Sequence, residues 1–133
     1  MSIAFYCDLL GMKLQQQSEN SGSEQQYVSG TPAPKVKISS LKASTGLGIE
    51  LLEYLEPDDG RPMPPDTRPN DLWYCQTMVT WQDPISKFQQ LEAIRFPLIA
   101  TVSPVAKSDL EYCQGYPIQD PDGHIINPVF TDR

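Results

Sequence analysis

The sequence has little histidine, little cysteine and few basic residues. His124 is the single histidine among 133 residues, which excludes a mechanism that needs two imidazoles from one chain. The three cysteines, Cys7, Cys75 and Cys113, include no CxxC pair, and this excludes a thiolate zinc site and a paired disulfide framework. Free thiols are typical of a reducing compartment, so we expect a cytoplasmic protein.

Basic charge and long apolar runs are also scarce. Ten Lys and Arg residues against seventeen Asp and Glu residues give a net charge of −7, which disfavours binding to nucleic-acid phosphates and favours a cationic ligand. No apolar run approaches the ~20 residues that a membrane-spanning helix needs. Apolar residues still make up 39% of the chain, enough for one folded domain over residues 1–133.

Proline is concentrated at the middle of the chain. Residues 57–70 contain five of the 13 prolines. Proline fixes φ and cannot donate a backbone hydrogen bond, so this segment is expected to be a stiff connector. It separates a first module, residues 1–56, from a second module, residues 71–133.

The first half has helical spacing of apolar side chains at its start and alternation of apolar and polar side chains later. These patterns predict, in order, a helix over 2–11, a strand starting at 12–14, a polar loop over 15–22, a weak strand at 25–28, and strands at 35–40 and 49–55.

The second half repeats this organisation. Its patterns predict a strand over 72–81 buried on both faces, a helix starting at Asp83, strands over 97–102 and 110–118, a turn over 120–123 and a last strand over 124–130. His124 follows the turn and is expected to hydrogen-bond to its acidic residues. A weak repeat places Glu50 of the first half opposite Asn127 of the second half.

Four segments carry a resemblance to a known family: FYCDLLGM from Phe5, IELLEY from Ile49, RPNDLWYCQTMVTWQD from Arg68 and DPDGHIIN from Asp120. They resemble the vicinal oxygen chelate superfamily, which includes glyoxalase I, extradiol dioxygenases and bleomycin-resistance proteins. The resemblance implies an α+β fold, in which paired βαβββ modules form a cupped mixed sheet around a cleft. The chain starts within the first helix of this pattern, so the first strand of module 1 is missing.

The resemblance also implies a site in the cup. Metal-using members of the family point four side chains into it, and three of these positions match Glu50, Gln76 and Asn127. One carboxylate and two amides are a poor donor set for zinc, nickel or iron. We therefore expect no cofactor and treat a divalent metal as the less favoured alternative. Glu50 is the candidate catalytic base, because desolvation in a cleft would raise its pKa.

The favoured function is that of a glyoxalase- or bleomycin-resistance-like protein with a degraded metal site. Such a protein would bind a small organic molecule, cationic or aromatic, in the cleft. The expected ligand-binding residues are Tyr54, Tyr74, Gln76, Met78 and Asn127. We also expect a homodimer, because members of this family often dimerise to cover exposed surfaces.

Two alternatives stay open. One is a metal-dependent lyase or dioxygenase-like enzyme whose site is completed by a ligand from a missing strand or a partner chain. The other is a protein-interaction module that uses an open sheet edge, since unpaired edges recruit further strands.

Overall fold

The computed structural model describes residues 1–81, 89–91, 103–104, 112–115 and 117–131. The chain divides into two compact units, Met1–Pro62 and Met63–Arg133. Among the described residues, no helix is both long and apolar enough to cross a membrane. The predicted strand over 97–102 and the predicted helix start at Asp83 lie outside the described residues.

The first unit consists of helical segments and an antiparallel sheet of three strands in the order β1-β2-β3. Its elements are α1 (Ser2–Ala4) with a π-helical turn (Phe5–Leu9), β1 (Lys13–Ser21), α2 (Gly22–Ser29), β2 (Lys35–Lys42) and β3 (Gly48–Glu56). The predicted first helix and the strands predicted at 35–40 and 49–55 are confirmed. Gly11 has a φ of 72°, and its N–H bonds to the carbonyl of Cys7 where the helical segment ends.

Residues 13–29 differ from the prediction. The polar loop expected at 15–22 is the continuation of β1, which pairs with β2 from Lys13 to Ser21. Most β1 side chains are exposed, so alternating burial is absent and the pairing with β2 determines the conformation. The prediction of a weak strand at 25–28 is wrong, because these residues lie within α2. None of the side chains of α2 is buried, and its sequence has no apolar stripe that would predict a helix.

The core of the first unit draws on the helical segment and the central strand. The buried apolar side chains are Phe5, Tyr6, Leu9 and Met12, together with Val36 and Leu41 of β2. A central strand is flanked by neighbours on both sides, which explains why β2 is more buried than β1 or β3.

The second unit contains β4 (Gln76–Trp81), β5 (Ser103–Pro104), β6 (Tyr112–Gly115), β7 (Ile118–Gln119) and β8 (Ile125–Thr131). Residues 89–91 are helical. The strand order is β4-β8-β6-β5, with β7 paired to β8. The first strand, β4, is parallel to the last strand, β8, which is the pairing that a helical crossover permits. The predicted last strand is confirmed, and the strand predicted over 110–118 is interrupted at Pro117, which is not in a strand.

Strand β4 is shorter than predicted. Residues 72–75 belong to a turn region, in which the N–H of Asp71 bonds to the carbonyl of Arg68 and the N–H of Tyr74 to that of Asp71. The strand starts at Gln76, where pairing with Ile125 of β8 begins. The expected burial of both faces is wrong, because Leu72 is fully exposed and Met78 is 54% exposed.

Candidate functional site

Two predicted site residues, Glu50 and Tyr54, lie on one face of β3 in the first unit. Paired residues share a face, so Ser40 of β2 lies beside Glu50. The Ser40 hydroxyl donates a hydrogen bond of 3.1 Å to Oε1 of Glu50. Glu50 is exposed and Tyr54 is 41% exposed. Within its own unit, Glu50 is thus a solvated carboxylate, and the desolvation expected of a base in a cleft is not supplied by β2 and β3.

The other predicted residues lie in the second unit, where the parallel pairing of β4 and β8 brings them together. Gln76 pairs with Ile125, and Met78 pairs with Asn127. Side chains alternate along a strand, so Gln76, Met78 and Asn127 share one face of the sheet. We call this the Asn127 face.

Asn127 has an unusual environment on this face. Its Oδ1 atom is buried and, within the part of the chain that the structure describes, accepts no hydrogen bond. A buried amide oxygen without a donor costs about 1–3 kcal/mol. The oxygen is therefore an acceptor that a ligand N–H or O–H group would satisfy.

Tyr74 is linked to the Asn127 face through Gln76. The Tyr74 hydroxyl donates to Oε1 of Gln76 at 3.4 Å. This contact uses the amide oxygen of Gln76, whose amino group is a donor. The Asn127 face thus offers an amide acceptor at Asn127 and an amide donor at Gln76.

The two units place Glu50 and Asn127 at equivalent positions. Glu50 is the third residue of β3, the last strand of the first unit, and Asn127 is the third residue of β8, the last described strand of the second unit. The alignment of Glu50 with Asn127 predicted from the sequence agrees with this placement.

The donor chemistry does not suit a transition metal. Asn127 and Gln76 are neutral amides, and Glu50 is a single carboxylate that already accepts a hydrogen bond from Ser40. Across the described residues, no group of three or more His, Cys, Asp or Glu side chains could hold a metal ion.

The turn before β8 is organised by Asp120. Its buried carboxylate accepts hydrogen bonds at Oδ1 from the backbone N–H groups of Asp122, at 3.0 Å, and His124, at 2.8 Å. Its Oδ2 atom lies 3.1 Å from Nδ1 of His124. The predicted hydrogen bonding of His124 to an acid of the turn is confirmed, and the interaction fixes the entry into β8.

Sequence reasoning missed a pocket in the second unit. Met63, Pro64, Pro65 and Thr67 of the proline-rich connector line it, together with Gln119 of β7. The sequence predicts this segment only as a stiff connector, and that prediction does not indicate that it also forms one wall of a pocket. Clustered prolines followed by a Thr that can cap a turn were the available signal.

Comparison with known proteins identifies the family. The model of the Glyoxalase/Bleomycin resistance protein/Dioxygenase superfamily matches residues 1–127. The chain belongs to this superfamily, and both the predicted family and the predicted α+β, glyoxalase-like fold are confirmed. A search of curated protein sequences finds no significant match.

Solved structures of similar fold come from several organisms. A glyoxalase family protein from Bacillus cereus is 21% identical with a TM-score of 0.73, over 98% of this chain and 85% of that one. A glyoxalase/bleomycin resistance protein/dioxygenase domain from Frankia is 14% identical with a TM-score of 0.61, over 99% and 82%. The trypanothione-dependent glyoxalase I of Leishmania major is 16% identical with a TM-score of 0.59, over 97% and 76%. At such identities the likeness establishes the fold.

Proposed function

We propose that the protein binds a small organic molecule, cationic or aromatic, on the Asn127 face, without help from a metal. The observation that carries the proposal is the buried Oδ1 of Asn127, which lacks a hydrogen-bond donor among the described residues. A ligand N–H group placed there would remove the cost of that burial.

The chemistry around this oxygen supports a cationic or aromatic ligand. Met78 lies beside Asn127 and is 54% exposed, and its thioether forms favourable contacts with aromatic rings. A cationic N–H group makes a stronger hydrogen bond to an amide oxygen than a neutral one does. The net charge of −7 further favours the approach of a cation.

Glu50 and Tyr54, which lie in the first unit, are also proposed as ligand-binding residues. Tyr54 offers an aromatic ring for stacking, and Glu50 offers a carboxylate for a cationic group. A catalytic role for Glu50 as a base would require a ligand that excludes water from it.

Substitution of Asn127 by Leu tests the proposal with ethidium, a cationic planar fluorescent probe. Loss of the acceptor for an amino N–H group of ethidium should raise the Kd of ethidium about tenfold, in line with the loss of one hydrogen bond. The same variant should be as stable as the original protein or about 1 kcal/mol more stable in urea unfolding, because an unsatisfied polar atom is removed. Asn20→Leu, at an exposed position of β1, is the matched control.

Three results would contradict this proposal. Equal ethidium binding by the original protein and Asn127→Leu would remove Asn127 from the site. A marked loss of stability in the variant would mean that Oδ1 has a partner in the folded chain. Retention of one equivalent of zinc, nickel, manganese or iron after desalting, abolished by Glu50→Ala, would favour the metal-dependent enzyme instead.

A second candidate function, a protein-interaction module, is favoured by the edge of β3. In the second unit, β8 pairs with β6 on one side and β4 on the other, whereas β3 pairs with β2 alone among the described residues. Its outer edge presents backbone N–H and C=O groups that a further strand could bond. We infer that a second copy of the chain is the partner to test first, consistent with the predicted homodimer.

Amide hydrogen exchange over a range of protein concentrations tests this candidate. A second copy at the edge should slow exchange of alternate β3 amides as concentration rises, in parallel with a doubling of mass in sedimentation. The amides of β2 serve as the internal control, because that strand is paired on both sides. Rapid exchange of the same β3 amides at every concentration would rule out the edge as an interface between copies.

A further inference from the structure

A pocket of about 110 Å³ lies in the second unit between the proline-rich connector and the strands β7 and β8. Pro64 and Pro65 form part of its wall, and Ile125 of β8 forms another part. Its lining does not include Gln76, Met78 or Asn127. Ile125 pairs with Gln76 and lies two residues before Asn127 on the same face of β8, so the pocket adjoins the Asn127 face but is lined by different residues.

The connector wall is held in place by its own hydrogen bonds. Both the backbone N–H and the side-chain hydroxyl of Thr67 donate to the carbonyl of Pro64, at 3.2 Å and 2.7 Å. The indole N–H of Trp73 in turn donates to the Thr67 hydroxyl oxygen at 3.3 Å. Because proline also restricts the backbone, this wall is pre-organised, and a ligand pays little ordering entropy on entering.

On the opposite side of the pocket, the turn before β8 packs closely against the connector because residue 123 is glycine. A Cβ at Gly123 would lie 2.8 Å from Cβ of Met63, too close for two carbon atoms. Gly123 also has a φ of 96°, which disfavours any residue with a side chain. The connector at Met63 therefore rests directly on the turn before β8.

The lining selects a neutral ligand with a hydrogen-bond donor. It contains no carboxylate, ammonium or guanidinium group. The Tyr74 hydroxyl donates its proton to Gln76, and Nε2 of Gln119 donates to the carbonyl of Gly123 at 3.0 Å. The oxygen atoms of Tyr74 and Gln119 are left as acceptors on the pocket wall.

The volume sets the size of the ligand. A cavity of about 150 Å³ holds one benzene molecule, so the present pocket suits a smaller ring. We propose that the pocket binds a neutral five-membered ring that carries an N–H donor, with apolar contacts to the two prolines and Ile125. The N–H group is accepted by the oxygen of Gln119 or Tyr74.

Pyrrole and furan form a matched pair of probes, since both are neutral five-membered rings and pyrrole alone has an N–H donor. Cys75 also lines the pocket and is exposed, so its alkylation by iodoacetamide reports occupancy. Saturating pyrrole should slow alkylation of Cys75 at least fivefold, and furan at the same concentration less than twofold. Cys7, half-buried in the helical segment of the first unit, is the internal control and should be unaffected.

Variants separate this pocket from the Asn127 face. Gln119→Leu and Tyr74→Phe should each reduce the preference for pyrrole over furan, and Gly123→Ala should abolish protection by displacing the connector at Met63. Asn127→Leu should keep full protection by pyrrole even though it binds ethidium about tenfold more weakly. The proposal is overturned if pyrrole and furan protect equally, if neither protects, or if Cys7 is slowed to the same degree as Cys75.

Discussion

At the scale of single residues, Asp120 shows how one buried carboxylate can fix a turn. It accepts two backbone hydrogen bonds and lies next to the imidazole of His124. The turn leads directly into β8, the strand that carries Asn127. The geometry of the Asn127 face therefore depends on a residue that does not lie on it.

Asp120→Ala should destabilise the protein by about 2–3 kcal/mol, because two backbone donors lose their acceptor in a buried turn. Asp120→Asn should cost less, since it keeps one oxygen at a suitable position. Urea unfolding measures both changes. Asp58→Ala, at an exposed position of the connector, should stay within about 0.5 kcal/mol of the original protein. A loss for Asp120→Ala no larger than for Asp58→Ala would contradict this account.

The residues of the candidate site differ in how well the sequence indicates them. Gln76, Met78 and Asn127 could be placed on one face because strand alternation and the family resemblance agree. That Asn127 Oδ1 has no donor among the described residues could not be predicted, since this depends on which donors the fold brings near that atom. The same holds for Gln119 and Met63, whose roles arise from contacts between segments distant in sequence.

At the scale of elements, pairing with a neighbour outweighs local pattern in the first unit. Residues 15–21 have the composition of a loop, yet they form the continuation of β1 because, past an irregularity at Gln15, β2 offers a partner to every residue from Gln16 to Ser21. The strands β2 and β3 were predictable because their side chains alternate. Helix α2 was not, since it is exposed on all sides and its sequence has no apolar periodicity.

The first sheet allows one substitution to be compared in two environments. Leu41, in the central strand, is 2% exposed, and Leu52, in the edge strand β3, is 50% exposed. Leu41→Ala should lower the free energy of unfolding by about 2–5 kcal/mol, as expected for a buried leucine. Leu52→Ala should cost less than half as much, because part of that side chain is already in water. Urea unfolding of the two variants tests this, and equal losses would mean that Leu52 is buried in solution.

At the scale of the whole molecule, the excess of acidic residues distinguishes the two proposed sites. A net charge of −7 attracts a cationic ligand over a distance set by the ionic strength. The lining of the connector pocket is uncharged, and a neutral ring gains nothing from that field.

Raising the salt concentration from about 20 mM to about 300 mM should therefore weaken ethidium binding several-fold. Protection of Cys75 by pyrrole should stay constant over the same range. Fluorescence titration and alkylation kinetics on the same samples provide the measurement. Ethidium binding that is insensitive to salt would mean that net charge makes no contribution to recognition.

Strand order has a consequence for synthesis on the ribosome. In the first unit, neighbouring strands are joined by local connections, and Lys42 pairs with Gly48 as soon as the hairpin emerges. In the second unit, Gln76 of β4 cannot form its strand pairing until Ile125 of β8 has been synthesised. Local contacts form faster than distant ones, so the three-stranded sheet should be complete while β4 is still without its parallel neighbour. A nascent chain stalled before Ile125 would carry one folded sheet and one unpaired strand, and it is at this stage that a chaperone would have most to protect.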